Sequence, residues 1–230
     1  MHKAVKLASK FVAYTSVAGA VGFGGFLFFT RKSRFVPFSL ADDPIFASSH
    51  YKKLNPHQND ALHDLCVRRV PLSQIKPELL QDDSRGKLVE AFCSGVWSGF
   101  GYGIQRRYLE RKYRGPETAT QLWDARALAT STYPVGTQIT DHFEVISHTP
   151  MSISVRCGDS PRNSGVRASD GVFEMSAVID ANEGVVEFGL KSVFFKGDGK
   201  SEGAMPAHIA FAHRLYTKLL MESAVGKVVK

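Results

Sequence analysis

The chain has 230 residues, of which 43% are hydrophobic and 22% are charged; this composition is ordinary for a folded protein and excludes wholesale disorder. Three cysteines in this length exclude a disulfide-stabilised scaffold. The formal net charge of +7 would suit a nucleic-acid-binding protein, but residues 1–34 contain six basic and no acidic residues. The rest of the chain therefore carries a formal charge of only +1, and no nucleic-acid partner is expected.

The first distinct segment is a run of 20 uncharged residues, 11–30, with basic residues on both sides. A helix of that length spans about 30 Å, the thickness of the hydrocarbon core of a bilayer. The pattern predicts one uncleaved transmembrane helix, with membrane anchor 1–34 and a single domain 35–230. A cleavable signal peptide, a mitochondrial presequence and a buried core helix are the alternatives. The predicted location is a membrane of the endoplasmic reticulum or of mitochondria.

Residues 35–85 contain five prolines, which predict a wrapping segment with little regular structure. Within it, residues 59–70 are predicted to form one short helix that ends at Pro71.

Residues 87–113 are predicted to be helical, because apolar residues recur there every four positions. Gly95, Gly99 and Gly103 repeat at the same interval. A glycine inside a helix costs about 1 kcal/mol relative to alanine. We therefore expect either close packing against another backbone or a break near Gly99–Gly103.

From residue 137 the apolar period changes to two, which predicts strands over 137–148, 152–157, 172–179 and 186–194. A turn at 181–184 pairs the last two strands, with Met175 opposite Leu190 and Glu174 opposite Lys191. A helix that begins near Pro206 would cover the apolar face, with Ile209, Ala212 and Leu219 toward the sheet. The predicted fold class is α+β: an antiparallel sheet of four or more strands packed by helices, preceded by one N-terminal transmembrane helix.

Motifs for cofactors and metals are missing from the sequence. It contains no Walker A loop and no nucleophile elbow, and the spacing in Gly99-x-Gly101-x-Gly103 is not that of a dinucleotide fingerprint. No cofactor is therefore expected. His57, His63 and Cys66 have a spacing that a metal could use, but no CxxC or HExxH accompanies them, and no metal site is expected.

The most polar group of residues follows the predicted strands. His142 and Glu144 would share one strand face, and Arg156, Asp170 and Glu174 would lie on the strands and loop that follow. An imidazole titrates near pH 6.5, so His142 is the candidate general acid or base and Glu144 its catalytic partner. The other three are candidate substrate-binding residues. The alternative is a solvated sheet face with cross-strand ion pairs.

Several stretches resemble a group of uncharacterised fungal proteins that have an N-terminal membrane segment and are often encoded near secondary-metabolite pathways. These stretches are GFGYGIQRRYLERKYR, LWDARALATSTYPVGTQITDHFEV, RCGDSPR, DGVFE and FGLKSVFF. The resemblance covers roughly residues 35–225 and implies a small hydrophobic ligand, but it supplies no catalytic motif. The order of a glycine-rich helix, antiparallel strands and a C-terminal helix is also similar to lipid-binding helix-grip folds.

The sequence leaves open whether the protein is an enzyme, and three functions are compatible with it. The first is a membrane-anchored protein that binds or converts a hydrophobic small molecule in secondary-metabolite biosynthesis. The second is a non-catalytic membrane scaffold or assembly factor, for example in mitochondria. The third is a hot-dog thioesterase-like enzyme. A closed apolar cavity under the sheet with His142, Glu144 or Arg156 at its mouth would favour the first, and its absence would favour a scaffold.

Overall fold

The computed structural model describes residues 22–39, 41, 43–81, 86–201, 203 and 206–230. The chain divides into two units, Met1–Lys32 and Ser33–Lys230. In the first unit, residues 22–29 form helix α1. Among the described residues, no helix combines the length and the apolar character that a membrane crossing requires. Residues 11–21 of the predicted anchor lie outside the described residues, and the anchor stays a prediction.

The second unit is α+β and is built on one antiparallel sheet of seven strands in the order β1-β2-β7-β6-β5-β4-β3. The predicted sheet class is therefore confirmed. The strands are β1 Arg34–Val36, β2 Leu62–Pro71, β3 Gln138–Ile139, β4 Phe143–His148, β5 Ser152–Gly158, β6 Asp170–Asp180 and β7 Val185–Phe195.

Helices cover both faces of this sheet. Helix α4, Lys87–Ser98, packs against β5 and β6, and helix α7, Ala207–Val228, packs against α4, β2 and β7. The main core lies between these helices and the sheet, where the rings of Phe92 and Phe188 are 4.8 Å apart between centroids. On the opposite face, Phe46 and Leu54 pack against Val193 and Phe195 of β7. The helices are α2 Pro44–Ala47, α3 Ser49–Leu54, α4 Lys87–Ser98, α5 Phe100–Tyr113, α6 Ala125–Thr130 and α7 Ala207–Val228.

The predicted register of the β6–β7 hairpin is confirmed. Met175 pairs with Leu190, and Glu174 pairs with Lys191. The Lys191 Nζ lies 3.0 Å from Glu174 Oε1 and 2.9 Å from Asp43 Oδ2. Burial opposes the charge of this ammonium, but the hydrogen bonds that it donates to its two carboxylate partners prevail and raise the pKa of Lys191.

The helix predicted over residues 59–70 is wrong, because those residues form most of strand β2. This strand pairs along its whole length with β7. Its alternate residues Asp64, Cys66 and Arg68 face α7, where Arg68 Nε lies 3.3 Å from Glu222 Oε1. The segment 35–85 therefore contributes two strands to the sheet in addition to its short helices.

The glycines of residues 87–113 mark both a helix break and a close contact. Gly99 adopts an extended conformation (φ −72°, ψ 167°) and separates α4 from α5. A Cβ on Gly95 would lie 2.7 Å from the Ala224 carbonyl oxygen of α7. The two features expected from the glycine spacing, a helix break and close backbone packing, are therefore both present. Gly103 takes part in neither, because a Cβ there would meet nothing within 4 Å.

Helix α7 begins one residue after Pro206, as predicted, but a different face of it is buried. Ile209 is exposed, and Ala212 is too. The difference arises because α7 packs against α4 as well as against the sheet. The buried residues of α7 are Thr217, Leu220, Met221, Ser223, Ala224, Val225 and Val228.

Candidate functional site

A cavity of about 390 Å³ lies between the sheet and helices α4, α5 and α7. Cavities of this size hold small organic molecules in other proteins. Its wall is largely aromatic, with the rings of Trp97, Phe143, Phe173 and Phe194. The cavity can therefore accommodate an apolar molecule.

The sheet register brings residues of the cavity wall close together. Phe143, Cys157, Gly171 and Phe194 stand next to one another on four neighbouring strands. A Cβ on Gly171 would lie 2.8 Å from a ring carbon of Phe194 and 3.1 Å from the Cys157 sulfur. The missing side chain at Gly171 lets these two residues approach, and the rings on either side form the wall.

Two tyrosines bring hydroxyl groups to the wall of the cavity. The Tyr102 hydroxyl lies 2.5 Å from Thr140 Oγ1, and the Tyr216 hydroxyl donates to Gln105 Oε1 at 2.7 Å. Burial raises the pKa of both tyrosines above the ordinary value. Both phenols are therefore neutral hydrogen-bonding groups at physiological pH.

His213 of α7 lines the cavity and contacts a buried carboxylate behind it. Its Nε2 lies 3.4 Å from Asp64 Oδ2 and 3.3 Å from Thr217 Oγ1, and its ring meets Phe194 edge-on at 5.2 Å. Asp64 is only 4% exposed. Neither carboxylate oxygen accepts a hydrogen bond from the part of the chain that the structure describes. The pair resembles the imidazole–carboxylate arrangement that supports proton transfer in many enzymes.

Ser192 stands beside this pair. It is the cross-strand partner of Asp64, so both side chains project from the same sheet face. Ser192 is completely buried, lines the cavity, and its Oγ makes no hydrogen bond to any described residue. Ser192 and His213 thus form a polar end of the cavity wall, and Asp64 lies behind it.

His142 also lines the cavity, but it does not lie on a strand. It belongs to the three-residue loop 140–142 between β3 and β4, in which Thr140 and Asp141 adopt positive φ values of 50° and 57°. The loop breaks the single strand predicted over 137–148. The imidazole packs against the Tyr113 ring at 4.6 Å, and Nδ1 lies 3.2 Å from the Thr140 carbonyl oxygen.

Glu144 lies away from His142, contrary to the shared face expected from the sequence. It lines a different cavity, on the sheet face covered by α2 and α3, together with Arg156. Its Oε2 is 3.9 Å from Arg167 Nη2. The catalytic role of the two residues stays a prediction, but the structure does not bring their side chains together.

Arg156 and Asp170 form a buried two-point ion pair. Arg156 Nε donates to Asp170 Oδ1 at 2.9 Å, and Nη2 lies 2.5 Å from Oδ2. The same guanidinium donates to the carbonyl oxygens of Ser164 and Gly165. These contacts tie the loop 159–169 to the sheet, so the donors of Arg156 are used mostly within the chain.

Glu174 is likewise occupied by neighbours. It receives a hydrogen bond from Ser154 Oγ at 3.1 Å and contacts Lys191 at 3.0 Å. The substrate-binding role predicted for Arg156, Asp170 and Glu174 stays a prediction, and the geometry favours the cross-strand ion pairs given as the alternative.

Sequence reasoning missed Asp64, Ser192 and His213. Asp64 lies in the segment interpreted as a helix, and Ser192 lies within an apolar strand pattern. The apolar residues of segment 62–70 do not alternate with polar ones, so β2 has no clear strand pattern, and only its pairing with β7 places Asp64 beside Ser192. Comparisons with protein-family models, with curated proteins and with solved structures gave no match.

Proposed function

We propose that this is a membrane-anchored protein that binds or converts a hydrophobic small molecule. The observation that supports the proposal is the 390 Å³ cavity with its aromatic wall and its polar end. A cavity of this size with a mostly apolar lining and a few polar groups is typical of small-molecule sites. His142 is among its lining residues, which is one of the features expected of this function from the sequence.

The membrane anchor and the pathway have separate support. The anchor rests on the uncharged run 11–30 and its basic flanks. A molecule that partitions into lipid would be concentrated near an anchored protein. The assignment to secondary-metabolite biosynthesis, in a membrane of the endoplasmic reticulum or of mitochondria, rests on the sequence features and on the resemblance to the fungal proteins.

The hot-dog thioesterase-like enzyme is the second candidate. One observation favours it: α4 packs against the middle strands β5 and β6 of the antiparallel sheet. Such an enzyme would form dimers, so the oligomeric state of the purified chain tests this candidate. A non-catalytic membrane scaffold or assembly factor, the third candidate, has no need of the cavity.

Native mass spectrometry of the full chain in mild detergent tests the proposal. We expect a co-purifying small molecule, and we expect Leu220→Phe to exclude it, because Leu220 lines the cavity. Leu219→Phe, on the neighbouring half-buried position of α7, is the matched control. If the wild-type chain carries no ligand and takes up none from a lipid extract of its host, a scaffold is favoured.

His142 remains the candidate acid or base for a conversion of the ligand. The test is His142→Gln in the producing host, with product formation and melting temperature measured together. Loss of product at an unchanged melting temperature supports a catalytic role. Normal product formation removes His142 from the mechanism.

A further inference from the structure

Ser192 carries a polar atom that has no hydrogen-bond partner among the residues that the structure describes. Its hydroxyl is completely buried and lines the cavity, and no described residue hydrogen-bonds to it. A buried hydroxyl without a partner costs about 1–3 kcal/mol. Ordinary core packing would avoid that cost with an alanine or a valine at this position of β7. The position therefore indicates a partner inside the cavity.

A second polar side chain stands at the same end of the cavity. His213 directs Nε2 toward Asp64 and Thr217. Its Nδ1 makes no hydrogen bond within the described ranges of the chain. Asp64 and Thr217 contact the imidazole on its Nε2 side, which orients the ring.

Asp64 places a carboxylate at this end. The basic side chains near it are His213, at 3.4 Å, and Arg214, whose Nε lies 3.9 Å away. A ligand carboxylate would add a second negative charge close to Asp64, and a ligand ammonium would compete with His213. A neutral oxygen that accepts hydrogen bonds fits both the hydroxyl and the imidazole.

We propose that the cavity takes a neutral apolar molecule with a carbonyl oxygen, which accepts hydrogen bonds from the Ser192 hydroxyl and the His213 side chain. The aromatic wall of Trp97, Phe143 and Phe173 packs against the rest of the molecule. Asp64 is a positioning residue that acts through His213. This inference rests on the proposed function, because it names the ligand class of the same cavity.

The test compares two probes that differ by an acetyl group, naphthalene and 2-acetylnaphthalene. The full chain in detergent carries Trp123→Phe, so that Trp97, which lines the cavity, is the only tryptophan and its fluorescence reports binding. Each probe is titrated into this background protein and into its Ser192→Ala and His213→Phe variants. Ser176→Ala is the matched control, because Ser176 lies on β6 on the opposite sheet face, against Gly189.

We expect Ser192→Ala to weaken binding of 2-acetylnaphthalene about fivefold, the value of one ordinary hydrogen bond, and to leave naphthalene binding unchanged. His213→Phe should act in the same direction, and Ser176→Ala should change neither probe. Equal effects of Ser192→Ala on both probes, or no effect on either, would overturn the carbonyl inference while the binding function stands. Absence of binding of both probes to the background protein would instead contradict the proposed function itself.

Discussion

A Cβ on Gly95 of α4 would lie 2.7 Å from the carbonyl oxygen of Ala224 and 2.9 Å from its Cα. Both atoms belong to the backbone of α7, so α7 would have to move as a body to make room. This close contact limits how near α4 can lie to the helix that carries His213.

Gly95→Ala should therefore destabilise the protein by about 1–3 kcal/mol, the usual cost of overpacking. The matched variant is Gly103→Ala in α5, where a Cβ would meet nothing within 4 Å. That variant should stabilise the protein by up to about 1 kcal/mol, because alanine has the higher helix propensity. Urea unfolding of both variants measures the difference, and equal effects of the same sign would contradict the packing explanation.

The buried ion pair of Arg156 and Asp170 gives a second prediction. Arg156→Ala leaves a buried carboxylate without its partner. Such a change typically lowers the free energy of unfolding by about 3–5 kcal/mol. It also releases the loop 159–169 from its contacts with the guanidinium. We expect a large drop in the urea midpoint and faster cleavage within that loop by a protease.

Arg69→Ala is the control for Arg156→Ala. Arg69 contacts Asp180, Glu183 and Glu187 on the surface, and exposed ion pairs contribute little because solvent screens them. Arg69→Ala should therefore lower the urea midpoint clearly less than Arg156→Ala does. If both variants lose the same stability, Arg156 does not hold the loop. The prediction that Arg156 binds a substrate would then be favoured again.

How far the sequence predicts this fold depends on how local the signal is. The hairpin of β6 and β7 was predictable to the residue, because alternation and a turn lie within one stretch and only one register places Met175 opposite Leu190. Strand β2 was missed, because its partner β7 is more than 100 residues away and Leu62, Leu65 and Cys66 also fit a helical spacing. Long-range pairing of this kind has no local signature.

The site was less predictable than the fold for a related reason. Thr140 and Asp141 adopt positive φ values, which residues of these types do only occasionally. The loop that they form places His142 in the cavity and leaves Glu144 on the other sheet face. The alternation of residue types through 137–148 continues across the loop and conceals it.

The three cysteines give a third prediction, on reactivity. Burial raises the pKa of Cys66 to about 12, and it also raises the pKa of Cys93 and of Cys157. The thiolate is the reactive form, so the folded protein should react with 5,5′-dithiobis(2-nitrobenzoate) at pH 8 far more slowly than the protein in urea. Fast reaction of one thiol in the folded state would show that it is accessible.

The same shifts predict how stability depends on pH. A raised pKa in the folded state means that the native protein keeps protons that the unfolded chain releases. Its stabilising contribution is complete below the ordinary thiol pKa of about 8.5 and is lost as the pH rises above it. The free energy of unfolding should therefore fall between about pH 8.5 and 11, and a stability that is constant over this range would contradict the prediction.

The anchor gives the last prediction. The full chain should pellet with membranes and resist high salt, whereas residues 33–230, which form a separate unit, should stay in the supernatant. The physical reason is that burying 20 uncharged residues in a bilayer is insensitive to salt, while electrostatic attachment to lipid is screened. Sedimentation of the two chains at low and high salt measures this directly.

One surface of the second unit could produce the opposite result. Ile104 and Tyr108 of α5 are 81% and 58% exposed, next to the exposed Arg107 and Arg111. An apolar row with basic neighbours is typical of a helix that lies on an anionic membrane. If residues 33–230 still pellet at high salt, the predicted anchor is not the only part of the chain that attaches it to the membrane. Ile104→Gln with Tyr108→Gln then decides whether α5 holds the protein on the membrane, because release by these two changes would assign the attachment to α5.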